Sequence, residues 1–285
     1  MGGEKTRVPS SAAHPVKTAL SIAGFDPSSG AGVTADLAVF AVHRIFGTAA
    51  VTALTVQSTV GVSAVVATDP ELLAATLAEI VTDLPPAGIK IGMVANEACV
   101  RVVADFLERT LASAPVPVVL DPVLVSTSGT PLLEPSGVAA MMDRLLPLAG
   151  WVTPNRQECA VLTGCQTSSI PLDADLERMS TMIRKRWPAT GFVVTGGDSE
   201  RADDLVLAPA QPPLWLRGEK VVSRATHGTG CAFSSALLCG LMEGLDGAGA
   251  AAAAKAYVAE AIRRAIPLGH GRGPLNLLWP LMSEK

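Results

Sequence analysis

The segment Thr226-His227-Gly228-Thr229-Gly230-Cys231 leads straight into a strongly apolar stretch. Two glycines just before a helix let the backbone approach a ligand closely. The free N–H groups of the helix start then point at an anion. Gly228, Thr229 and Gly230 are therefore candidates for an anion hole around a transferring phosphoryl group, whose transition state gains mainly from electrostatic stabilisation. Cys231 falls in the first helical turn, where the dipole favours a thiolate. The same pattern also reads as a glycine-rich turn capping a buried helix, with an inert cysteine, and the residue types alone leave both readings open.

A second glycine-rich turn, Gly24-Phe25-Asp26-Pro27-Ser28-Ser29-Gly30-Ala31-Gly32, follows an apolar run. Asp36 lies one turn into the helix after it, either facing the strand ends or simply solvated. Gly30-x-Gly32 lacks the third glycine of a dinucleotide fingerprint. In Asn155-Arg156-Gln157-Glu158, Asn and Glu three apart share one face of a helix start. They could hold a hydrated Mg²⁺ and, through water, nucleotide phosphates, or merely cap the helix. Gln57 is an amide in an apolar context, able to bond a flat heterocycle in two directions or to cap a strand. Lys90 reads as a partly buried structural cation, Met93 as ring-packing or core, and His227 as a loop histidine.

Elements alternating between β and α must position these residues. Short apolar runs at 18–23, 47–56, 88–91, 116–120, 150–153 and 192–194 read as strands, with 62–67 an edge strand or flap. Helical spacing follows Val33, opens at Pro70, and recurs over 98–111, 136–146, 156–162, 172–186, 229–243 and 248–266. Residues 205–208 and 214–216 resemble a small hairpin. This alternation implies an α/β fold with a mainly parallel sheet flanked by helices, whose ligands bind at the C-terminal strand ends. Residues 16–285 read as a single domain and 1–15, polar and without an apolar core, as a disordered tail.

Charge and composition narrow the functions. The net charge is -4, without basic blocks, which argues against a nucleic-acid partner. Charged residues are 17%, which suits an Ala-rich protein and is weakly consistent with self-association. Five scattered cysteines without a CxxC pair suit a reducing cytoplasm rather than a metal site. The Ala248–Ala254 run is broken by Lys255, so it reads as a helix in water rather than in a membrane.

Seven ordered segments, GFDPSSGAGVTADL, ALTVQST, IKIGM, VVLDPVLVSTSG, TPNRQE, VVTGGD and THGTGC, together resemble the hydroxymethylpyrimidine/phosphomethylpyrimidine kinases of thiamine biosynthesis, in the ribokinase-like superfamily. The resemblance implies a ribokinase-like three-layer sandwich, ATP and Mg²⁺, a small aminopyrimidine alcohol as substrate, and a homodimer. It places Gly24, Asp36, Thr55, Gln57, Met93 and Val123 around the pyrimidine. Cys231 falls beside the acceptor hydroxymethyl and Gly228, Thr229 and Gly230 in the anion hole. Asn155 and Glu158 belong to an Asn-x-x-Glu motif linked to Mg²⁺ and phosphate, and Thr195, Gly196 and Gly197 to the nucleotide side. Phe25, Thr127, Thr195 and Asp198 depart from the family pattern, where Ser or Thr, Lys, Lys and His are usual. Two missing lysines bear on charge neutralisation, on the second phosphorylation and on strict use of ATP. A pyridoxal-type vitamin kinase and a pyrimidine binder with impaired catalysis are the alternatives, although pyridoxal kinases usually carry Asp where this chain has Cys231.

Overall fold

In the computed structural model, residues 16–126, 129–165, 171–197 and 199–282 are described. The expected tail, Thr127 and Asp198 lie outside them. Nine strands form one sheet in the order β3-β2-β1-β4-β5-β6-β7-β8-β9. They are β1 Thr18–Phe25, β2 Phe46–Ser58, β3 Gly61–Ala67, β4 Gly88–Ile91, β5 Val118–Leu120, β6 Trp151–Val152, β7 Gly191–Val194, β8 Asp204–Leu207 and β9 Leu214–Leu216. The six strands from β2 to β7 in that order run parallel, and β3, β8 and β9 join antiparallel at the two edges. Residues 61–67 thus make an edge strand, and the expected hairpin extends the main sheet.

Among the described residues, eight α-helices cover the sheet: α1 Gly32–Val42, α2 Pro70–Asp83, α3 Glu97–Ser113, α4 Pro135–Ala140, α5 Arg156–Thr163, α6 Asp173–Arg186, α7 Thr229–Met242 and α8 Gly247–Arg263. Strand side chains alternate between two apolar cores, as a period of two requires. Leu20, Ile22, Ile89, Ile91, Leu120 and Phe192 pack on the α2–α6 side. Ala19, Val119 and Val193 pack under α1, α7 and α8. This is the three-layer sandwich expected from the alternation.

Two helices end differently from the sequence reading because of prolines. The helix expected over 136–146 runs as α helix only to Ala140, then widens to a π turn (Met141–Leu145) and tightens to a 3₁₀ turn (Leu146–Leu148). Pro147 lacks the N–H that would continue the α ladder. Helix α8 stops at Arg263, three residues short, because Pro267 disfavours helical backbone at Ile266.

β1 is the switch point of the sheet: its successor β2 lies on one side and β4 on the other. In open α/β sheets the crevice beyond such strand ends receives the ligand. Gly24, Met93, Asp121, Thr153 and Thr195 all lie at or just past C-terminal strand ends there.

Candidate active site

The crevice is a cleft of about 2190 Å³. That exceeds the roughly 300–1,000 Å³ of a site for one small molecule and leaves room for a nucleotide beside a small acceptor. Gly228, Thr229, Gly230 and Cys231 line it, together with Gly24, Thr55, Gln57, Met93, Val123, Asn155, Glu158, Thr195 and Gly197. Thirteen of the fifteen candidates from the sequence therefore face the cleft, and two, Asp36 and Gly196, do not reach its wall.

The anion-hole turn is built by close backbone approach. Gly228 has φ +84°, and a Cβ there would overlap the carbonyl of Gly30. It is the N-cap of α7 and offers no side-chain acceptor to the helix start. The first N–H groups of α7 therefore remain directed at whatever occupies the cleft. A Cβ on Gly230 would sit 3.6 Å from Asp121 Oδ2.

The buried charges beneath this turn were misjudged from sequence. Lys90 is not partly but wholly buried, and Asp36 is buried with it. Lys90 Nζ donates to both Asp36 oxygens at 2.9 Å. Ser21 and Ser235 hydroxyls also donate to that carboxylate, at 2.6 and 2.8 Å. Asp36 thus accepts four hydrogen bonds from its own protein, neutralises Lys90 between β4, α1 and α7, and does not reach the cleft wall. Gly196 likewise does not reach the cleft wall: it packs on the Asp203 carbonyl and donates to Asp204 Oδ1 at 2.8 Å.

Cys231 also departs from expectation. Burial, chiefly, with the nearby Asp121 and Asp36 charges, outweighs Lys90 and a Gly32 N–H, and the thiol is pushed up to about 12. The helix start does not make it a thiolate. Asp121, one residue past β5, is the group poised near neutrality. Burial lifts its carboxyl to about 6, against the lowering influence of Lys90 and hydrogen bonds from Ser234 and Cys231. The Ser234 hydroxyl lies 3.2 Å from it. Only the Asp121-Pro122 strand end marked it in the sequence.

Asn155 and Glu158 form a reciprocal capping box. Asn155 Oδ1 accepts from the Glu158 N–H at 2.8 Å and Glu158 Oε2 accepts from the Asn155 N–H at 2.9 Å. Both residues still line the cleft. Among the described residues, no group of three His, Cys, Asp or Glu side chains is disposed to hold a metal. The Asn155 and Glu158 oxygens are donors of the kind that Mg²⁺ takes through its bound waters. Thr195 pairs with Asn155 through an isolated bridge. Lys255 of α8, which in the sequence only interrupts the alanine run, reaches the cleft and pairs with Asp204 Oδ2 at 2.8 Å.

His227 is a buried partner rather than a loose loop residue. Its Nε2 lies 2.6 Å from Asp26 Oδ2 and 3.1 Å from the Gln57 amide. Thr55 Oγ1 lies 3.2 Å from the other end of that amide. Gly30 is needed here, because a Cβ would strike the His227 ring.

The phosphomethylpyrimidine kinase family model matches residues 26–276. The chain belongs to the phosphomethylpyrimidine kinase family. It is 39% identical over 269 residues to a hydroxymethylpyrimidine/phosphomethylpyrimidine kinase of Synechococcus elongatus, covering 93% of this chain and 99% of that protein. Among solved structures it resembles a Bacillus subtilis pyridoxal kinase in complex with ADP, with TM-score 0.82 and 29% identity over 92% of this chain and 98% of that one. It also resembles a Clostridium difficile phosphomethylpyrimidine kinase, with TM-score 0.73 and 30% identity over 86% and 99%. The family's phosphotransferase chemistry and ribokinase-like fold are those of this chain. No helix among the described residues is long and apolar enough to cross a membrane.

Proposed function

We propose that this kinase transfers the γ-phosphate of MgATP to the hydroxymethyl group of 4-amino-5-hydroxymethyl-2-methylpyrimidine, and then to the monophosphate, in thiamine biosynthesis. The observation that carries this reading is one cleft lined by three parts: the Thr55–Gln57 edge, the Gly228–Gly230 turn, and the Asn155–Glu158 pair. A flat ring bonded by Gln57 would present its hydroxymethyl to the turn, and the α7 N–H groups would receive the phosphoryl oxygens. Magnesium, carried with the nucleotide, supplies charge neutralisation, and Asn155 and Glu158 hold its waters. The acceptor oxygen attacks the γ-phosphorus and ADP leaves. Such a loose transition state asks more of positioning than of a base. Where a proton must move, Asp121 is better matched to neutral pH than Cys231.

The pyridoxal alternative has a specific support in the TM-score of 0.82 to a pyridoxal kinase. The sequence relationship to the pyrimidine kinases is the stronger of the two, at 39% against 29% identity. A homodimer in the cytoplasm completes the reading, without nucleic-acid or membrane partners. Leu54 and Val66, cross-strand neighbours exposed on the outer face of β2 and β3 beside Val56, support the dimer. The test is a substrate panel with MgATP, followed by chromatography and mass. Pyrimidine mono- and diphosphate are expected. Phosphorylation of pyridoxal alone, or pyrimidine binding without ADP formation, overturns the reading.

A further inference from the structure

Two hydrogen-bond constraints meet at the Gln57 amide, and both can be resolved by counting protons. Thr55 Oγ1 donates to the Phe25 carbonyl at 2.9 Å. A hydroxyl has one proton, so toward Gln57 it can only accept, and the amide end 3.2 Å away must be the NH₂. On the other flank, Asp26 accepts from the Ser28 N–H at 2.8 Å, the Ser28 hydroxyl at 2.7 Å and the Ala31 N–H at 3.0 Å. Burial raises the Asp26 carboxyl, but the bonds from His227 and Ser28 outweigh it and hold the group below the usual carboxylate range. An ionised carboxylate only accepts, so His227 Nε2 must carry a proton. That one N–H is directed at Asp26, 2.6 Å away, and can reach the amide end at 3.1 Å only as the weaker arm of a three-centre bond, which requires the oxygen there. With Nε2 of Gln57 facing His227, two donors would meet. The two flanks, fixed by unrelated partners, demand the same orientation.

We propose that Asp26 and His227 are positioning residues which, with Thr55, fix the Gln57 amide with its oxygen toward His227 and its NH₂ toward Thr55. The inference rests on the reading of Gln57 as the contact to an aminopyrimidine. Thr55 takes the outer N–H of the amide, and the His227 proton, shared with Asp26, faces its outer lone pair. Its remaining edge presents an acceptor on the His227 side and a donor on the Thr55 side. A ring with an amino group beside a ring nitrogen matches that edge in one sense only. The amino group lies toward His227 and the ring nitrogen toward Thr55. Around such a ring the order is nitrogen, amino-bearing carbon, then hydroxymethyl-bearing carbon. The hydroxymethyl is thus carried toward the residue that immediately follows His227, which is Gly228 of the anion-hole turn. The opposite amide orientation would turn the same ring end for end and point the hydroxyl away from the phosphoryl donor. The Asp26–His227 pair therefore links ring recognition to the site of transfer.

The first test needs no substrate. Long-range ¹H–¹⁵N spectra of the wild-type imidazoles, with His227 assigned by substituting His14, His43 and His270 one at a time, should show its Nε2 protonated. A bare Nε2 with the proton on Nδ1 overturns the proposal, whatever the substrate proves to be. In His227→Phe, which keeps a planar ring and removes the N–H, kcat/KM for the pyrimidine should fall about tenfold, as for one lost hydrogen bond to the recognition edge, with KM for ATP unchanged. An equal rise of both KM values, or no change in either, contradicts a positioning role. A crystal with the pyrimidine and ADP should place the amino group on the His227 side, and a reversed ring overturns the proposal. A protonated Nε2 in an enzyme that ignores the pyrimidine would instead sink the substrate reading and leave the amide assignment standing.

Discussion

Replacing Lys90 by Met tests whether the floor of the active site is held by charge compensation. Lys90 and Asp36 are both fully buried, with two N–O contacts of 2.9 Å. Removing the cation strands the Asp36 carboxylate with two serine donors in place of four contacts. Breaking a buried pair from one side costs about 3–5 kcal/mol. At roughly 2–4 °C per kcal/mol, the melting temperature should fall by about 6–20 °C. Lys90→Met/Asp36→Asn removes both charges, keeps an acceptor for Ser21 and Ser235, and should recover at least half of the stability. Urea midpoints for the wild type and the two variants at pH 7 provide the assay. A single-variant cost below about 1 kcal/mol would refute the reasoning.

Other consequences follow from the same geometry. Asp121 is raised from 3.8 to about 6, so the proton is held more tightly in the folded state and the associated stability is present at low pH and lost as pH rises through 6. Asp121→Asn should therefore gain on the wild type by roughly 3 kcal/mol between about pH 4 and pH 7, read from denaturant midpoints, and a constant difference would contradict the shift. Cys231→Ser should keep the shape of the wild-type pH–rate profile, because a thiol near 12 is no proton acceptor at neutral pH, and loss of a basic limb would restore the thiolate. Gly228→Ala forces a left-handed φ and an overlap with Gly30, and should cost at least about 1–3 kcal/mol together with most of the activity. Asn155→Ala should lower stability by about 1 kcal/mol through loss of the cap, and should also raise KM for ATP, whereas a purely structural cap would leave that KM unchanged.

The parallel sheet was readable because strands such as 88–91 and 192–194 are short apolar runs separated by amphipathic helices, and local patterning suffices for that. The glycines of the α7 turn were readable for the same reason, since a left-handed φ and a close approach leave few residue choices. Asp36 was not, because its partner Lys90 is 54 residues away and is brought to it only by the pairing of β1 with β4. His227 looked like an ordinary loop residue because its partner Asp26 is 201 residues distant. Asp121 and Cys231 owe their acidities to burial and to one another, and a helix-start argument on Cys231 alone gave the wrong sign. Lys255 only interrupts the alanine run in the sequence until the α8 packing turns it toward Asp204.

The central claim is that the cleft brings an aminopyrimidine hydroxymethyl to the α7 anion hole. Incubating the protein with MgATP and equal amounts of hydroxymethylpyrimidine and pyridoxal, with every product followed by mass, tests it most directly. The account predicts pyrimidine monophosphate first, then diphosphate, with pyridoxal phosphate a minor product. Pyridoxal phosphate alone, or a bound but unreacted pyrimidine, would contradict it.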